Sequence, residues 1–270
     1  MKVIIFGANG MMGRYAYSVL KKHYTSVPLM RDDFDIRLVS ELNAALERVS
    51  VQKGDVVINC AGIINKRLPE TGIKEMIYVN ALFPRALSNY CVLRGSHLVH
   101  ISTDCVFSGR RGRYIETDPT DAEDEYGITK LIGEPEDAMV IRTSFIGEEP
   151  GAKRSLLEWV RKQNGRVPGY VDHRWNGLTC YSLALILKEI IDGGIIWKGI
   201  RHIHSPDSLT KYELLSIINN SYNLGLEIHP VSAGYCNRTL ASMHEPLFAV
   251  PGIAIQVEEQ KKFLLSDLTG

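Results

Sequence analysis

The chain has 270 residues, enough for one large core or for a large domain with a smaller appendage. Its 31 basic and 31 acidic residues cancel, which removes the electrostatic footprint expected of a nucleic-acid or anionic-membrane binder. Its apolar runs fall far short of the ~20 residues a membrane span needs. Five scattered cysteines, none in a C-x-x-C pair, argue for reduced thiols in a cytoplasmic protein and against a disulfide or metal framework.

The first element is Val3-Ile4-Ile5-Phe6, a short and fully apolar run of the kind found in buried parallel strands. Gly7 and Asn9 cut it short, so it reads as a first strand and not as a signal peptide. The turn Gly7-Ala8-Asn9-Gly10-Met11-Met12-Gly13 follows, then a helical pattern through Tyr15, Val19 and Leu20. A glycine turn between strand and helix lets backbone approach a pyrophosphate, and the helix start supplies free N–H groups. Gly7, Asn9, Gly10, Met11, Met12 and Gly13 are therefore candidate dinucleotide-binding residues.

A second strand is expected at residues 27–30, with Arg31 after it. An acid at this strand end suits the ribose hydroxyls of NAD, and an Arg suits the extra phosphate of NADP. Arg31 is the argument for NADP, with Asp32 and Asp33 beside it weighing against. Phe34, Asp35 and Ile36 are candidates for the adenine end. Residues 38–49 fit an amphipathic helix. Residues 55–62 read as another buried strand ending in Cys60, Ala61 and Gly62, small enough for a dinucleotide to lie across them. Residues 73–94 read as one long helix carrying Asn80, placed either to bridge toward a catalytic lysine or as an ordinary helix amide.

Residues 97–101 form the next strand, with Ser102 and Thr103 at its C-terminal end, the edge at which open parallel sheets bind ligands. A polar loop leads to Tyr126-Gly127-Ile128-Thr129-Lys130. Four residues apart on a helix, Tyr126 and Lys130 share one face. A phenol titrates near ~10, and bringing it to ~7 takes roughly 4 kcal/mol, which a close ammonium and a cationic cofactor ring can supply. Such a tyrosine exchanges a proton with a carbonyl or alcohol oxygen. Residues 139–144 form a further strand. Beyond 150 the pattern loosens, with helices expected near 156–163, 183–191 and 211–222 and short strands near 200–203 and 226–229. The alternation of strand and helix implies an α/β doubly wound parallel sheet.

Glycine turn, strand-end Ser102-Thr103-Asp104-Cys105-Val106-Phe107-Ser108-Gly109, Tyr114-Ile115-Glu116-Thr117-Asp118-Pro119 and Tyr126 to Lys130, in this order, resemble the extended short-chain dehydrogenase/reductase superfamily. Within it the chain is similar to the dTDP-4-dehydrorhamnose reductases and their nucleotide-sugar relatives, from Met1 to about Thr179. The resemblance implies a Rossmann-type sheet over residues 1–150 and a smaller α/β substrate lobe over 151–270, interleaved with it. It implies NADPH-dependent reduction of a 4-keto-6-deoxy sugar carried on a nucleoside diphosphate, UDP or dTDP. Thr103 would bond the ketone oxygen, Tyr126 would protonate it, and Lys130 would hold the nicotinamide ribose. Ser102, Asp104, Arg142, Trp175 and Arg238 are the residues it suggests for the substrate. Relatives form dimers, which leaves a homodimer open.

Cys105 departs from the plain rhamnose reductases, which usually carry Tyr there. A Cys at this place is found in epimerase-reductases, as a base beside the ketone, and His173 is then the candidate acid on the opposite ring face. Two other readings stand beside the reductase. One is a non-catalytic regulatory subunit of the methionine adenosyltransferase beta type. The other is an epimerase or dehydratase of the same superfamily. Dehydratases usually follow the strand-end Thr with Asp-Glu, whereas here Asp104 precedes Cys105.

Overall fold

The computed structural model describes residues 1–33, 35–149 and 155–267. Phe34 and the expected lobe boundary at 150/151 lie outside the described residues. In chain order the elements are β1 (Lys2–Phe6), α1 (Met11–Leu20), β2 (Thr25–Leu29), α2 (Val39–Arg48), β3 (Val56–Asn59), α3 (Leu68–Ile77), α4 (Phe83–Arg94), β4 (His97–Ile101), α5 (Glu125–Ile132) and β5 (Met139–Arg142). Then come β6 (Phe145–Ile146), α6 (Leu156–Val160), β7 (Arg166–Tyr170), β8 (His173–Trp175), β9 (Leu178–Thr179), α7 (Cys180–Asp192), β10 (Gly199–His202), β11 (Leu209–Thr210), α8 (Lys211–Tyr222), β12 (Glu227–Val231), β13 (Cys236–Asn237) and α9 (Ile253–Asp267).

Six strands form one parallel sheet in the order β10-β5-β4-β3-β1-β2. The chain leaves β1 toward β2 on one side and returns to β3 on the other, so the order reverses between β1 and β3. That reversal opens a crevice at the C-terminal edge. Side chains alternate across β1: Val3 and Ile5 join a core with Tyr15, Ala16, Leu183 and Leu187, and Ile4 and Phe6 join a core on the opposite face with Leu42, Phe83 and Leu87. Both faces of the sheet are thus covered by helices, which is why its strands read as continuous apolar runs. A third core, around Leu157, Val167, Trp175, Leu214 and Val257, belongs to the C-terminal part.

The expected helix over 73–94 is helical throughout, with a π turn at Tyr78–Leu82 between α3 and α4; the non-helical residue, Gly72 with φ 76°, lies just before it. Pro84 has no N–H to give to the carbonyl one turn back, so the helical ladder widens before α4. The strands β6 to β9 and β11 to β13 are two to five residues long and pair in small sheets, β11-β8-β13, β12-β7 and β6-β9. Among the described residues no helix is long and apolar enough to cross a membrane.

Candidate active site

Gly7 holds φ 73° at the end of β1, a conformation that L side chains rarely adopt. Its N–H donates to the Leu29 carbonyl (3.0 Å), and Gly10 N–H donates back to the Gly7 carbonyl (2.9 Å), which closes the turn. A Cβ on Gly13 would lie 2.1 Å from the Gly7 oxygen, so only glycine lets α1 sit this close to the strand end. The free N–H groups at the start of α1 open on a cavity of about 830 Å³ lined by Gly7, Asn9, Gly10, Met11, Cys60, Ala61 and Gly62. The far wall carries Arg31, Asp35, Ile36 and Arg37, the last unmarked by the sequence reading. Met12 turns the other way and is buried in the core. Arg31 is ion-paired with Glu75 (2.5 Å) and Arg37 with Asp35. Two arginines and a row of carboxylates share this wall, and the size and the glycine-rich floor fit a dinucleotide.

Beyond Cys60 lies the C-terminal end of β4. The Thr103 hydroxyl accepts from Cys105 N–H (3.1 Å) and caps a short turn over Asp104–Val106. Helix α5 begins at Asp124, whose carboxylate accepts from Gly127 N–H (2.7 Å). A Cβ at Gly127 would lie 2.2 Å from the Cys105 oxygen, so this glycine lets the helix rest directly on the turn. The phenol of Tyr126 is thereby set beside the Thr103 hydroxyl. One turn on, the buried Lys130 ammonium donates to the Ile101 carbonyl (2.7 Å) and lies 3.4 Å from His100 Nε2.

Ala61 N–H donates to Asn59 Oδ1 (3.0 Å), so Asn59 Nδ2 is the donor to His100 Nδ1 (3.1 Å). Burial and the Lys130 charge push the His100 pKa well below its ordinary value, so the ring between Asn59 and Lys130 is neutral. Sequence reading missed His100, which lies between Asn59 at the cavity floor and the lysine. Burial also pushes Lys130 down to about 8, against the favourable charges of Glu134 and Cys60. Tyr126 moves the other way. Burial raises its phenol above the ordinary value, Cys105, Asp104 and Asp124 add to the rise, and the Thr103 hydroxyl opposes it. The lowered phenol expected from the Tyr-x-x-x-Lys spacing is therefore absent from the protein by itself, where burial outweighs the neighbouring amine.

Several expected residues are engaged elsewhere. Arg142 is buried and makes a two-point ion pair with Glu134 (2.9 and 2.7 Å), and the Ser102 hydroxyl donates to the same carboxylate (2.6 Å). Both belong to a buried brace behind the strand end and not to a substrate surface. Asn80, on the π turn, bonds both backbone groups of Ile63 (2.8 Å each) and Thr129 Oγ1 (3.1 Å), and so does not reach Lys130. The His173 ring lies against Tyr170 (5.0 Å between centroids) and makes no hydrogen bond or ring contact with Cys105, Thr103 or Tyr126.

Cys105 is half-buried, and its thiol is pushed up to about 12 by burial and the Asp104 charge, with Arg238 opposing. Asp104 is itself buried, and burial raises its pKa. Arg238 anchors its Nε on the Phe107 carbonyl (2.9 Å) and brings Nη1 to 3.8 Å from Cys105 Sγ. Trp175 is buried, with its indole N–H donating to Ser144 (2.8 Å). Lys211 lies over its ring, 5.2 Å from the centroid. No motif marked Lys211, because a pairing of β11 with β8 brings it here from far along the chain.

Residues 1–241 match the family described as RmlD substrate binding domain. The chain is 36% identical over 223 residues to a dTDP-4-dehydrorhamnose reductase of Burkholderia thailandensis, covering 76% of this chain and 73% of that one. It is 30% identical over 223 residues to the enzyme of the same name from Mycolicibacterium smegmatis, covering 78% of this chain and 66% of the relative's length. The solved dTDP-4-dehydrorhamnose reductase of Bacillus anthracis, in complex with NADP, superposes with a TM-score of 0.81 at 21% identity, covering 98% of each chain. With a family match over most of its length and a doubly wound sheet of the same fold, the chain belongs to the RmlD family of dTDP-4-dehydrorhamnose reductases.

Proposed function

We propose that this protein is an NADPH-dependent reductase that converts the ketone of a nucleoside-diphosphate 4-keto-6-deoxy sugar to the alcohol. The observation that carries the reading is the gathering of Thr103, Tyr126 and Lys130 at the sheet edge, with Lys130 held on the Ile101 carbonyl and a dinucleotide-sized cavity beginning at Cys60. The bound dinucleotide supplies a hydride to the ketone carbon. Thr103 and Tyr126 hold the ketone oxygen between two hydroxyls, and Tyr126 gives it a proton. A phenol whose pKa is raised stays protonated at neutral pH, which suits a proton donor in the reducing direction. Lys130, fixed by Ile101 and facing the cavity floor through His100 and Asn59, takes the ribose hydroxyls.

The NADPH preference rests on Arg31 and Arg37. Both arginines are exposed and each has a partly buried carboxylate partner at the surface; surface pairs contribute only ~0–1 kcal/mol, so exchanging that partner for a ribose phosphate costs little. Reduction is proposed without ring epimerisation. A thiol that titrates at about 12 is not a base at neutral pH, and His173 packs on Tyr170. Intact Thr103, Tyr126 and Lys130 favour an enzyme over a regulatory subunit.

The test is NADPH oxidation with a dTDP- or UDP-linked 4-keto-6-deoxy sugar. Wild type is expected to turn over and Tyr126→Phe to lose about 10²–10⁴-fold in kcat, the range of a positioned acid. Tyr126→Phe turning over like wild type would refute the assignment.

A further inference from the structure

Arg142 and His202 lie side by side in the parallel sheet, as register partners on β5 and β10. Both are almost wholly buried, at 3% and 5% exposure. Both also face the ring of Phe107: the guanidinium carbon lies 5.4 Å from its centroid, and the imidazole meets it edge-on at 5.8 Å. The Arg142 fork commits Nε and Nη2 to Glu134, which leaves Nη1 as its remaining donor. The His202 ring sets Nδ1 against two carbonyls, those of Tyr114 (3.0 Å) and Ala241 (2.9 Å). A carbonyl only accepts, so Nδ1 carries the proton. Burial holds the His202 pKa below its ordinary value against the Glu116 charge, so the ring is neutral and Nε2 is an acceptor. Among the described residues neither Arg142 Nη1 nor His202 Nε2 has a hydrogen-bond partner, and both atoms are shut off from solvent.

One buried donor and one buried acceptor thus stand unpaired on neighbouring strands, beside the same ring. Leaving either so is costly, and one internal water satisfies both, accepting from the arginine and donating to the imidazole. The place of this link matters for the site. The N–H groups of Ser102 and Asp104, on either side of Thr103, donate to the carbonyls of Ile141 (2.7 Å) and Thr143 (3.1 Å), on either side of Arg142. From the other edge, Ile203 N–H donates to the Arg142 carbonyl (3.1 Å). His202 N–H donates to Glu116, which also accepts from the Ser242 hydroxyl and Met243 N–H. Ring and backbone of His202 therefore fasten Tyr114, Glu116 and Ala241 to the strand pair that holds Thr103 in place.

We infer that one buried water joins Arg142 Nη1 to His202 Nε2, and that through this link His202 is a positioning residue for the turn that carries Thr103. The water stands on the geometry alone, and its effect on turnover rests on the reductase reading. His202 acts through Arg142 and Phe107, the first behind the strand end and the second at the close of the turn.

The experiment has two arms, both on the full chain. A crystal structure of wild type is expected to show one solvent peak within about 2.7–3.2 Å of both nitrogens. Nitrogen NMR of the histidine-labelled protein is expected to show His202 with its proton on Nδ1 and a hydrogen-bonded Nε2. A dry gap, a direct contact between the two nitrogens, or a proton on Nε2 overturns the inference. In the second arm, NADPH oxidation with the nucleotide-linked 4-keto sugar is compared for wild type, His202→Leu and His202→Gln. Leucine keeps the bulk and removes both polar atoms, whereas glutamine carries an acceptor out to the place of Nε2. His202→Leu is expected to lose about 10- to 100-fold in kcat, the scale of a reacting group held out of line, with KM within a few-fold. His202→Gln is expected to recover most of that loss. Equal losses in the two variants, or a loss confined to KM, overturn the positioning role. Should His202→Leu fail to fold, His202→Asn, which keeps a donor for the two carbonyls and lacks the distant acceptor, takes its place with the same expectation. Turnover by Tyr126→Phe at the wild-type rate refutes the reductase reading and leaves the buried water standing.

Discussion

Arg142 and Glu134 form a buried two-point ion pair directly behind the strand end, and Ser102 donates its hydroxyl to the same carboxylate. Breaking one side leaves a charge buried without a partner. Arg142→Met is expected to cost about 3–5 kcal/mol in urea unfolding, and the double variant Arg142→Met/Glu134→Leu to recover most of that loss. If Arg142→Met unfolds at the wild-type midpoint, the brace contributes nothing.

Gly13 bears on the cofactor end alone. With 2.1 Å between its missing Cβ and the Gly7 oxygen, Gly13→Ala must push α1 away from the turn. Overpacking of this kind costs about 1–3 kcal/mol, so NADPH affinity is expected to fall roughly 10- to 100-fold. Fluorescence titration of NADPH reads it directly, and unchanged affinity would place the dinucleotide elsewhere.

Lys130 gives a stability signature in pH. Its folded pKa of about 8 lies below the ordinary lysine value, so between about 8 and ~10.4 the unfolded chain holds more protons than the folded one. Stability at this site therefore rises with pH across that window, and the full cost of the buried ammonium is present below it. The difference between wild type and Lys130→Met, which cancels the thiols and phenols titrating nearby, should change by on the order of 3 kcal/mol from pH 7.5 to 10.5. A flat difference would mean that Lys130 is not desolvated as described.

Cys105 should be slow to alkylate. At pH 8 a thiol titrating at about 12 carries on the order of 10³-fold less thiolate than an ordinary cysteine. Iodoacetamide labelling read by mass spectrometry is expected to leave Cys105 among the last cysteines modified. In deuterated water, the ring carbons next to the ketone should gain no deuterium. Rapid labelling together with deuterium uptake would restore the epimerase-reductase reading.

The parts of this architecture visible in the sequence are those set by local pattern. Fully apolar strands such as Val3–Phe6, the glycine turn and the Tyr126/Lys130 spacing are each determined within a few residues and each marked its own element, although the spacing did not foretell the raised phenol. Partner choice was not visible. Nothing near Ser102 says that its hydroxyl belongs to Glu134, 32 positions away, and nothing near Arg142 says that its guanidinium faces inward. Lys211 was hidden for the same reason, since β11 is two residues long and earns its place only by pairing with β8. The π turn inside the expected 73–94 helix has a local trace in Pro84, which apolar periodicity alone does not register.

The strand β10 has a bearing on how the molecule is made. It seals the edge of β5, yet it comes from the far side of α7, itself packed on the first helix of the chain. A nascent chain therefore cannot finish its nucleotide-binding half and then append the rest. Until His202 has emerged from the ribosome, Met139 to Arg142 present an open row of backbone donors and acceptors. Ribosome-bound intermediates shorter than this are the ones expected to need a chaperone.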